Sequence, residues 1–185
     1  SGVEEPNASF DKTLTQLQDM YGNEITPFVF PITDNGEVKG FVNVFENKAY
    51  KVSGNKLEEM PVPADLAEKI EEISENIKEH AAESDEELME KYFSGEDFTV
   101  QELKKGICAS VKSGSVKPVF CGSGTSNWGV DWIMNAITEF MPSPVDVTEI
   151  EAKKLDDTPV KLKAEDSEKL SAIVFKTVVD PFVGK

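Results

Sequence analysis

The tight-turn signal Asp34-Asn35-Gly36, set between two segments rich in β-forming residues, constrains the fold more than any other short motif here. Asn-Gly is a preferred pair for a two-residue hairpin loop, because both central residues need a positive φ. Residues 25–33 contain two prolines, which exclude a helix, and residues 38–45 follow as the hairpin partner. A third strand is predicted at 48–52, and Ser53-Gly54-Asn55 is expected to close this β portion.

Helical patterns occur on both sides of the β portion. A helix is predicted between the capping residue Ser9 and Gly22, where a left-handed residue ends a helix well. A long helix is predicted after Pro61-Val-Pro63, because apolar residues then recur every three or four positions with charges between them. Two more helices are predicted at 85–92 and 99–112, the second from a capping box formed by its first residue and Glu102.

The remaining sequence predicts one strand–loop–helix unit and a final strand. Residues 116–121 are a short apolar strand, 122–127 a loop of small residues, and 129–140 an amphipathic helix, which together favour an α/β fold. Residues 145–168 are polar and are predicted to be a linker. Residues 171–179 have the β-branched composition of a strand. Because a lone strand cannot form an independent unit, we expect it to add to another sheet or, preferentially, to begin a truncated domain.

The acidic balance limits what this chain can bind by itself. Its 185 residues include 35 Asp and Glu against 19 Lys and Arg, a net charge of -16. A nucleic-acid backbone and an anionic membrane both attract basic surfaces, so neither partner is expected. No apolar run approaches the ~20 residues of a membrane-spanning helix. The two cysteines lie outside any C-x-x-C pattern, which favours a reducing, cytoplasmic setting.

The segment Cys121-Gly-Ser-Gly124 is open to several interpretations. A cysteine nucleophile would need a base, and His80, the single histidine, lies among helical charges. A phosphate-binding loop would need a glycine and lysine spacing that the sequence does not contain. The segment could instead contact a ligand through backbone amides at the end of a strand, or be an ordinary connection. The acidic helices are likewise either a solvated surface or a docking surface for a cationic or amphipathic partner.

Four segments together resemble elongation factor G and its translational GTPase relatives. Residues 7–28 are similar to the segment after the family's guanine-reading N-K-x-D motif, and the run HAAESDEELMEKYFSGE at 80–96 is similar to its acidic helical insert. Residues 118–146, with PVFCGSG and MPSPVD, are similar to the fifth GTPase signature and its helix. The run FKTVVDPFVG at 175–184 is similar to the first strand of the second domain. The N-K-x-D motif would fall at or just before residues 1–4, which do not match it. Gly124 stands where the family usually has Ala, and Trp128 lies where it usually has a Lys.

The resemblance implies an α/β fold, namely a P-loop GTPase-type αβ remnant with an inserted α+β subdomain of a β-hairpin and several helices. The implied boundaries are 1–24 for a GTPase-domain helix, 25–115 for the insert, 116–144 for the last GTPase strand and helix, 145–168 for a linker and 169–185 for the first strand of a truncated β-barrel.

The resemblance also implies a parent protein that couples GTP binding and hydrolysis, with Mg²⁺, to tRNA–mRNA movement on the ribosome. Gly122, Ser123 and Gly124 would then form a partial guanine site. No catalytic or metal-binding residue is assigned, and we expect the fragment itself to be monomeric, inactive and without a cofactor. The implied partners are the ribosome, rRNA through other parts of the parent, and the ribosomal stalk protein. The alternatives are a ribosomal protection protein of the same family, an acidic module that docks the stalk protein, and a cysteine enzyme built on Cys121.

Overall fold

The computed structural model describes residues 2–146, 149–179 and 182, and the chain divides into two units, Ser1–Met141 and Pro142–Lys185. Within the described residues, the first unit is a mixed α/β fold with five α-helices, a four-stranded antiparallel sheet and a two-stranded parallel sheet. None of the helices in these ranges is long and apolar enough to cross a membrane.

The first helix, α1, has the ends that its capping residues predict. It spans Phe10–Tyr21 and begins after Ser9, whose Oγ accepts a hydrogen bond from the Lys12 backbone N–H at 3.3 Å. It ends at Gly22, which has a φ of 80°. A short turn then leads into the first strand, β1, at Ile25–Pro27.

The antiparallel sheet has the strand order β2-β3-β4-β5. Its strands are β2 at Val29–Asp34, β3 at Glu37–Asn43, β4 at Lys48–Ser53 and β5 at Lys56–Met60. Asn35 and Gly36 join β2 to β3 with φ angles of 51° and 82°, as a hairpin turn of this type requires. The predicted hairpin and third strand are therefore confirmed.

The prediction that Ser53-Gly54-Asn55 closes the β portion is wrong. Ser53 pairs with Lys56 across a turn in which Gly54 has a φ of 61°, and β5 extends the sheet by one more strand. The sequence of β5, Lys-Leu-Glu-Glu-Met, contains no β-branched residue. It forms a strand through its backbone pairing with β4 and lies at the edge of the sheet, where charged side chains are tolerated and discourage further pairing.

Three helices follow the sheet: α2 at Ala67–Ala82, α3 at Glu86–Ser94 and α4 at Val100–Ser113. Asp85 caps α3, and Thr99 with Glu102 forms the predicted capping box of α4. Helices α2 and α4 approach closely where Gly106 meets Ala81, because a Cβ atom at Gly106 would lie 2.7 Å from the Ala81 Cβ. The glycine thus permits the contact between the two helices.

The strand–loop–helix unit completes the first unit of the fold. Strand β6, at Lys117–Val119, pairs in parallel with β1, and α5 follows at Val130–Phe140. The antiparallel sheet and helices α2 to α4 are therefore inserted between the two paired strands. The shared core contains the buried residues Phe28, Phe30, Val42, Ile77, Ile107 and Phe140.

The second unit differs from its prediction in two places. A hairpin of β7, Ile150–Lys153, and β8, Pro159–Leu162, lies inside the segment predicted to be a linker over 145–168. Residues 169–179 are exposed and belong to no strand. The strand predicted at 171–179 is therefore not formed here, and the physical reason is that no described strand pairs with this segment. Residues 180–181 and 183–185, the rest of that segment, lie outside the described residues.

Candidate functional site

The loop between β6 and α5 is closed by a small antiparallel bridge. The Ser123 N–H donates to the Trp128 carbonyl at 3.0 Å, and the Trp128 N–H donates to the Ser123 carbonyl at 2.9 Å. Asn127 and Gly129 have φ angles of 59° and 72°, which turn the chain into α5. The loop lies at the carboxyl end of β6, the edge at which open α/β sheets bind their ligands.

Ser123 is buried at the base of this loop, with 1% of its surface exposed. Its Oγ accepts a hydrogen bond from the Ser126 N–H at 2.9 Å and donates one to the Glu4 carboxylate. The hydroxyl is therefore engaged on both sides. Gly122 is also buried, whereas Gly124 is exposed. The guanine contact of these three residues stays a prediction, and Gly124 is the one that a ligand reaches most easily.

Glu4 places a carboxylate against the loop from the N-terminal segment. The segment is held there because the Gly2 N–H donates to the Gly122 carbonyl at 2.9 Å. One Glu4 oxygen accepts the Ser123 hydroxyl, and the other, Oε2, is buried and has no hydrogen-bond partner among the described residues. A buried oxygen without a donor costs free energy. Glu4 Oε2 is therefore the oxygen of this carboxylate whose hydrogen-bonding capacity no described residue satisfies.

Glu4 is the residue that sequence reasoning missed. Residues 1–4 do not match N-K-x-D as a whole, and for that reason the sequence alone assigns none of them to the site. The missed signal is chemical: Glu4 is an acid, as the last residue of that motif is, and it lies three residues before Asn7, where the resemblance begins. A carboxylate at that place can accept hydrogen bonds even though the preceding residues differ.

Two tryptophans fix the loop to the antiparallel sheet. The Trp128 ring lies edge-on to Phe41, with centroids 6.3 Å apart, and Trp132 lies 6.0 Å from Phe41 and 5.1 Å from Tyr50. Trp128 Nε1 also donates to the Gly54 carbonyl at 2.9 Å, across to the turn between β4 and β5. The loop is thus joined by packing and by a hydrogen bond to the inserted part of the fold.

The two glycines of the loop have different roles. A Cβ atom at Gly122 would lie 2.4 Å from the Trp128 carbonyl oxygen, whereas a Cβ at Gly124 would meet nothing within 4 Å. Packing against Trp128 therefore requires glycine at 122. At 124 the open space leaves the backbone accessible to a ligand.

Cys121 is not suited to nucleophilic catalysis. It is buried, and burial raises the pKa of its thiol to about 12. Since the thiolate is the nucleophile, a thiol with such a pKa is unreactive near neutral pH. His80, the candidate base, lies on α2, where its Nδ1 is 3.5 Å from the Glu83 Oε2. The structure gives no support to a cysteine enzyme built on Cys121.

Mg²⁺ has no candidate donor set in the described part of the chain, where no group of three or more His, Cys, Asp or Glu side chains could hold a metal ion. The acidic residues instead spread over α2, α3 and the turn between them. We name this surface the acidic face, and its exposed members are Glu68, Glu71, Glu72, Glu75, Glu79, Glu83, Glu86, Glu87 and Glu90. They are suited to attract a cationic partner and not a phosphate group.

The comparison with solved structures finds a protein that shares this fold. A protein of Thermus thermophilus, known from its crystal structure, is 30% identical to this chain, with a TM-score of 0.68. The match covers 80% of this chain and 23% of the Thermus chain. No family model matches the sequence. The α/β fold is thus shared with part of a much longer protein.

Proposed function

We propose that this chain is part of a translational GTPase, and that Glu4 and the exposed backbone of the 122–124 loop recognise the guanine base of GTP. The observation that carries the proposal is the buried, unpartnered Oε2 of Glu4 beside that loop. Guanine presents two adjacent donors, its N1–H and its 2-amino group, and a carboxylate accepts such donors well. Adenine lacks both donors at those positions, so the same carboxylate selects against it.

The α/β part of the fold supports a role within a larger domain. A parallel pair of two short strands, β1 and β6, is smaller than a sheet that is stable alone, and parallel sheets are usually covered on both faces. Helix α5 leaves Met134 56% and Ile137 50% exposed. We infer that further strands of the parent extend this sheet and that α5 packs against them. The coverage of less than a quarter of the Thermus chain, 23%, agrees with this proposal.

In the proposed protein, this chain binds and orients the base and takes no part in bond breaking. GTP hydrolysis is a phosphoryl transfer to water, for which Mg²⁺ and residues around the phosphates supply charge stabilisation. Glu4 fixes one edge of the base, and Gly124 allows the loop backbone to approach it. Hydrolysis would drive tRNA–mRNA movement on the ribosome in the cytoplasm.

The gene product that carries these 185 residues provides the test. We expect it to hydrolyse GTP and not ATP, and to do so faster when ribosomes are added. Absence of GTP hydrolysis with ribosomes present would contradict the proposal. For the 185-residue chain alone, we expect calorimetry to detect no micromolar GTP binding, since no phosphate-binding motif is present. Micromolar binding would contradict the assignment of the phosphate site to another part of the parent.

The acidic face favours a second, compatible function: docking the ribosomal stalk protein. Its nine exposed glutamates give a strongly negative surface on α2, α3 and the turn between them, which would attract a basic or amphipathic partner. NMR titration with the carboxyl-terminal domain of the stalk protein should shift amides on these helices. The double change Glu79→Lys and Glu86→Lys should weaken binding, while Glu58→Lys on β5 serves as the control. Silence across α2 and α3 would exclude this function.

A further inference from the structure

Trp128 joins two parts of the molecule that are far apart in sequence. Its backbone forms the bridge with Ser123 that closes the loop, and its indole Nε1 donates to the Gly54 carbonyl at 2.9 Å. Gly54 lies in the turn between β4 and β5, with a φ of 61°. One residue therefore connects the loop to the tip of a hairpin in the inserted subdomain.

The contacts around Trp128 leave the loop little freedom to move independently of the sheet. The Gly122 backbone is packed against the Trp128 carbonyl, where a Cβ would come within 2.4 Å. The Trp128 ring also packs edge-on against Phe41, which is fully buried in β3. A shift of the turn at Gly54 would thus pull on the indole, and the indole is part of the residue that closes the loop.

We propose that Trp128 is a positioning residue that couples the 123–128 loop to the turn between β4 and β5. A partner that binds this turn would then change the affinity of the loop for its ligand, and a ligand on the loop would change the affinity of the turn for that partner by the same factor. The ligand class, a guanine nucleotide, rests on the function proposed above. The coupling itself rests on the contacts of Trp128 alone.

Two variants test the coupling without touching the loop itself. Gly54→Ala places a side chain at a residue with a φ of 61°, where an L-residue is strained, although no atom lies within 4 Å of its Cβ. Gly95→Ala is the matched control, because Gly95 has a φ of 75° and equally open space at the end of α3. The readout is amide hydrogen exchange of Ser123, Ser126 and Trp128, measured by NMR.

We expect Gly54→Ala to speed exchange of these three loop amides about fivefold, the effect of weakening one hydrogen bond, and Gly95→Ala to leave them unchanged. Trp128→Phe, which keeps a ring but removes the Nε1–H donor, should have the same effect on the loop and should also speed exchange at Lys56, the first residue of β5 after the turn. Trp132→Phe is its control, since no hydrogen bond joins Trp132 to the turn among the described contacts.

Unchanged exchange of the loop amides in Gly54→Ala and Trp128→Phe would overturn the coupling. Exchange at Val42, in the buried centre of the sheet, that is accelerated as much as exchange of the loop amides would also overturn it, because it would mean general destabilisation. Exchange is measured without nucleotide. Failure of GMP to bind the chain would therefore count against the proposed function and leave the coupling intact. Absence of the exchange effect would count against the coupling and leave the proposed function intact.

Discussion

Substitution of Gly122 by alanine perturbs the candidate site at its tightest contact. The added Cβ would lie 2.4 Å from the Trp128 carbonyl oxygen, and an ordinary contact begins at 3.4 Å. Loop and carbonyl must therefore separate by about 1 Å, the difference between those two distances. The position of the Cβ is fixed by the backbone of residue 122, and the Trp128 oxygen is itself a backbone atom. No change of side-chain rotamer can therefore relieve the contact.

The expected cost follows from packing and from the bridge. Overpacking costs about 1–3 kcal/mol, and the two bridge hydrogen bonds contribute about 1 kcal/mol each when they are well formed. Since a shift of this size weakens the bonds without removing them all, we expect the free energy of unfolding to fall by about 2 kcal/mol. For a chain of this length, that corresponds to a Tm lower by about 4–8 °C.

Urea unfolding, followed by far-UV circular dichroism, measures this difference, and Gly124→Ala is the matched control. The control makes the same chemical change in the same loop, but nothing lies within 4 Å of the new Cβ. We expect its unfolding free energy to stay within about 0.5 kcal/mol of the parent value. Equal midpoints for the two variants would refute the geometry of the loop and its bridge.

Three further predictions concern other parts of the fold. Gly106→Ala should lower the free energy of unfolding by about 1–3 kcal/mol, measured by thermal or urea unfolding, because the added methyl group overpacks the contact between α2 and α4. An increase in the free energy of unfolding, from the better helix propensity of alanine, would contradict the close approach of the two helices. The hydrogen bond from Lys91 is the largest of the contacts that lower the pKa of Glu102 from 4.5 to about 2. The ionised Glu102 carboxylate therefore contributes its full stabilisation above pH 4.5, and this contribution is lost as the pH falls toward 2. In Glu102→Gln, the free energy of unfolding should depend less on pH over that range. A thiol reagent at pH 8 should label half-buried Cys108 before Cys121, whose buried thiol has a pKa of about 12; equal rates would contradict the burial of Cys121.

The elements that could be predicted from the sequence are those with local signals. The turn at Asn35 and Gly36, the cap at Ser9 and the capping box at Thr99 each depend on interactions within a few residues. Strand β5 was not predicted because it forms through pairing with β4, and its short sequence has no β-branched residue to indicate a strand. The hairpin of β7 and β8 was missed because its two short strands are each recognisable only through their pairing with one another.

The candidate site was predictable only in part. The position of the 122–124 loop between a strand and a helix follows from the sequence pattern, and the structure places it there. The contact between Glu4 and Ser123 joins residues 119 positions apart, and no local pattern encodes such a distance. The other hydrogen bond of the Ser123 hydroxyl, accepted from the Ser126 N–H, is by contrast local.

The acidity of the chain also has a different meaning once its positions are known. Nine exposed glutamates lie on α2, α3 and the turn between them, which are different elements from the loop that we propose to bind a base. The acidity of this chain therefore does not conflict with the proposal that its parent acts on the ribosome, provided that the parent's basic surfaces lie outside these 185 residues.

Recognition of guanine by Glu4 and the 122–124 loop can be measured most directly by NMR titration of the chain with GMP and, separately, with AMP. A base of about 11 heavy atoms, bound at about 0.3 kcal/mol per atom, gives a Kd in the millimolar range. We expect GMP to shift the amides of Gly124 and Thr125, AMP to shift neither, and Glu4→Gln to remove the GMP response while the rest of the spectrum is unchanged. Equal shifts with both nucleotides, or no shift with GMP at tens of millimolar, would contradict the proposed recognition of guanine.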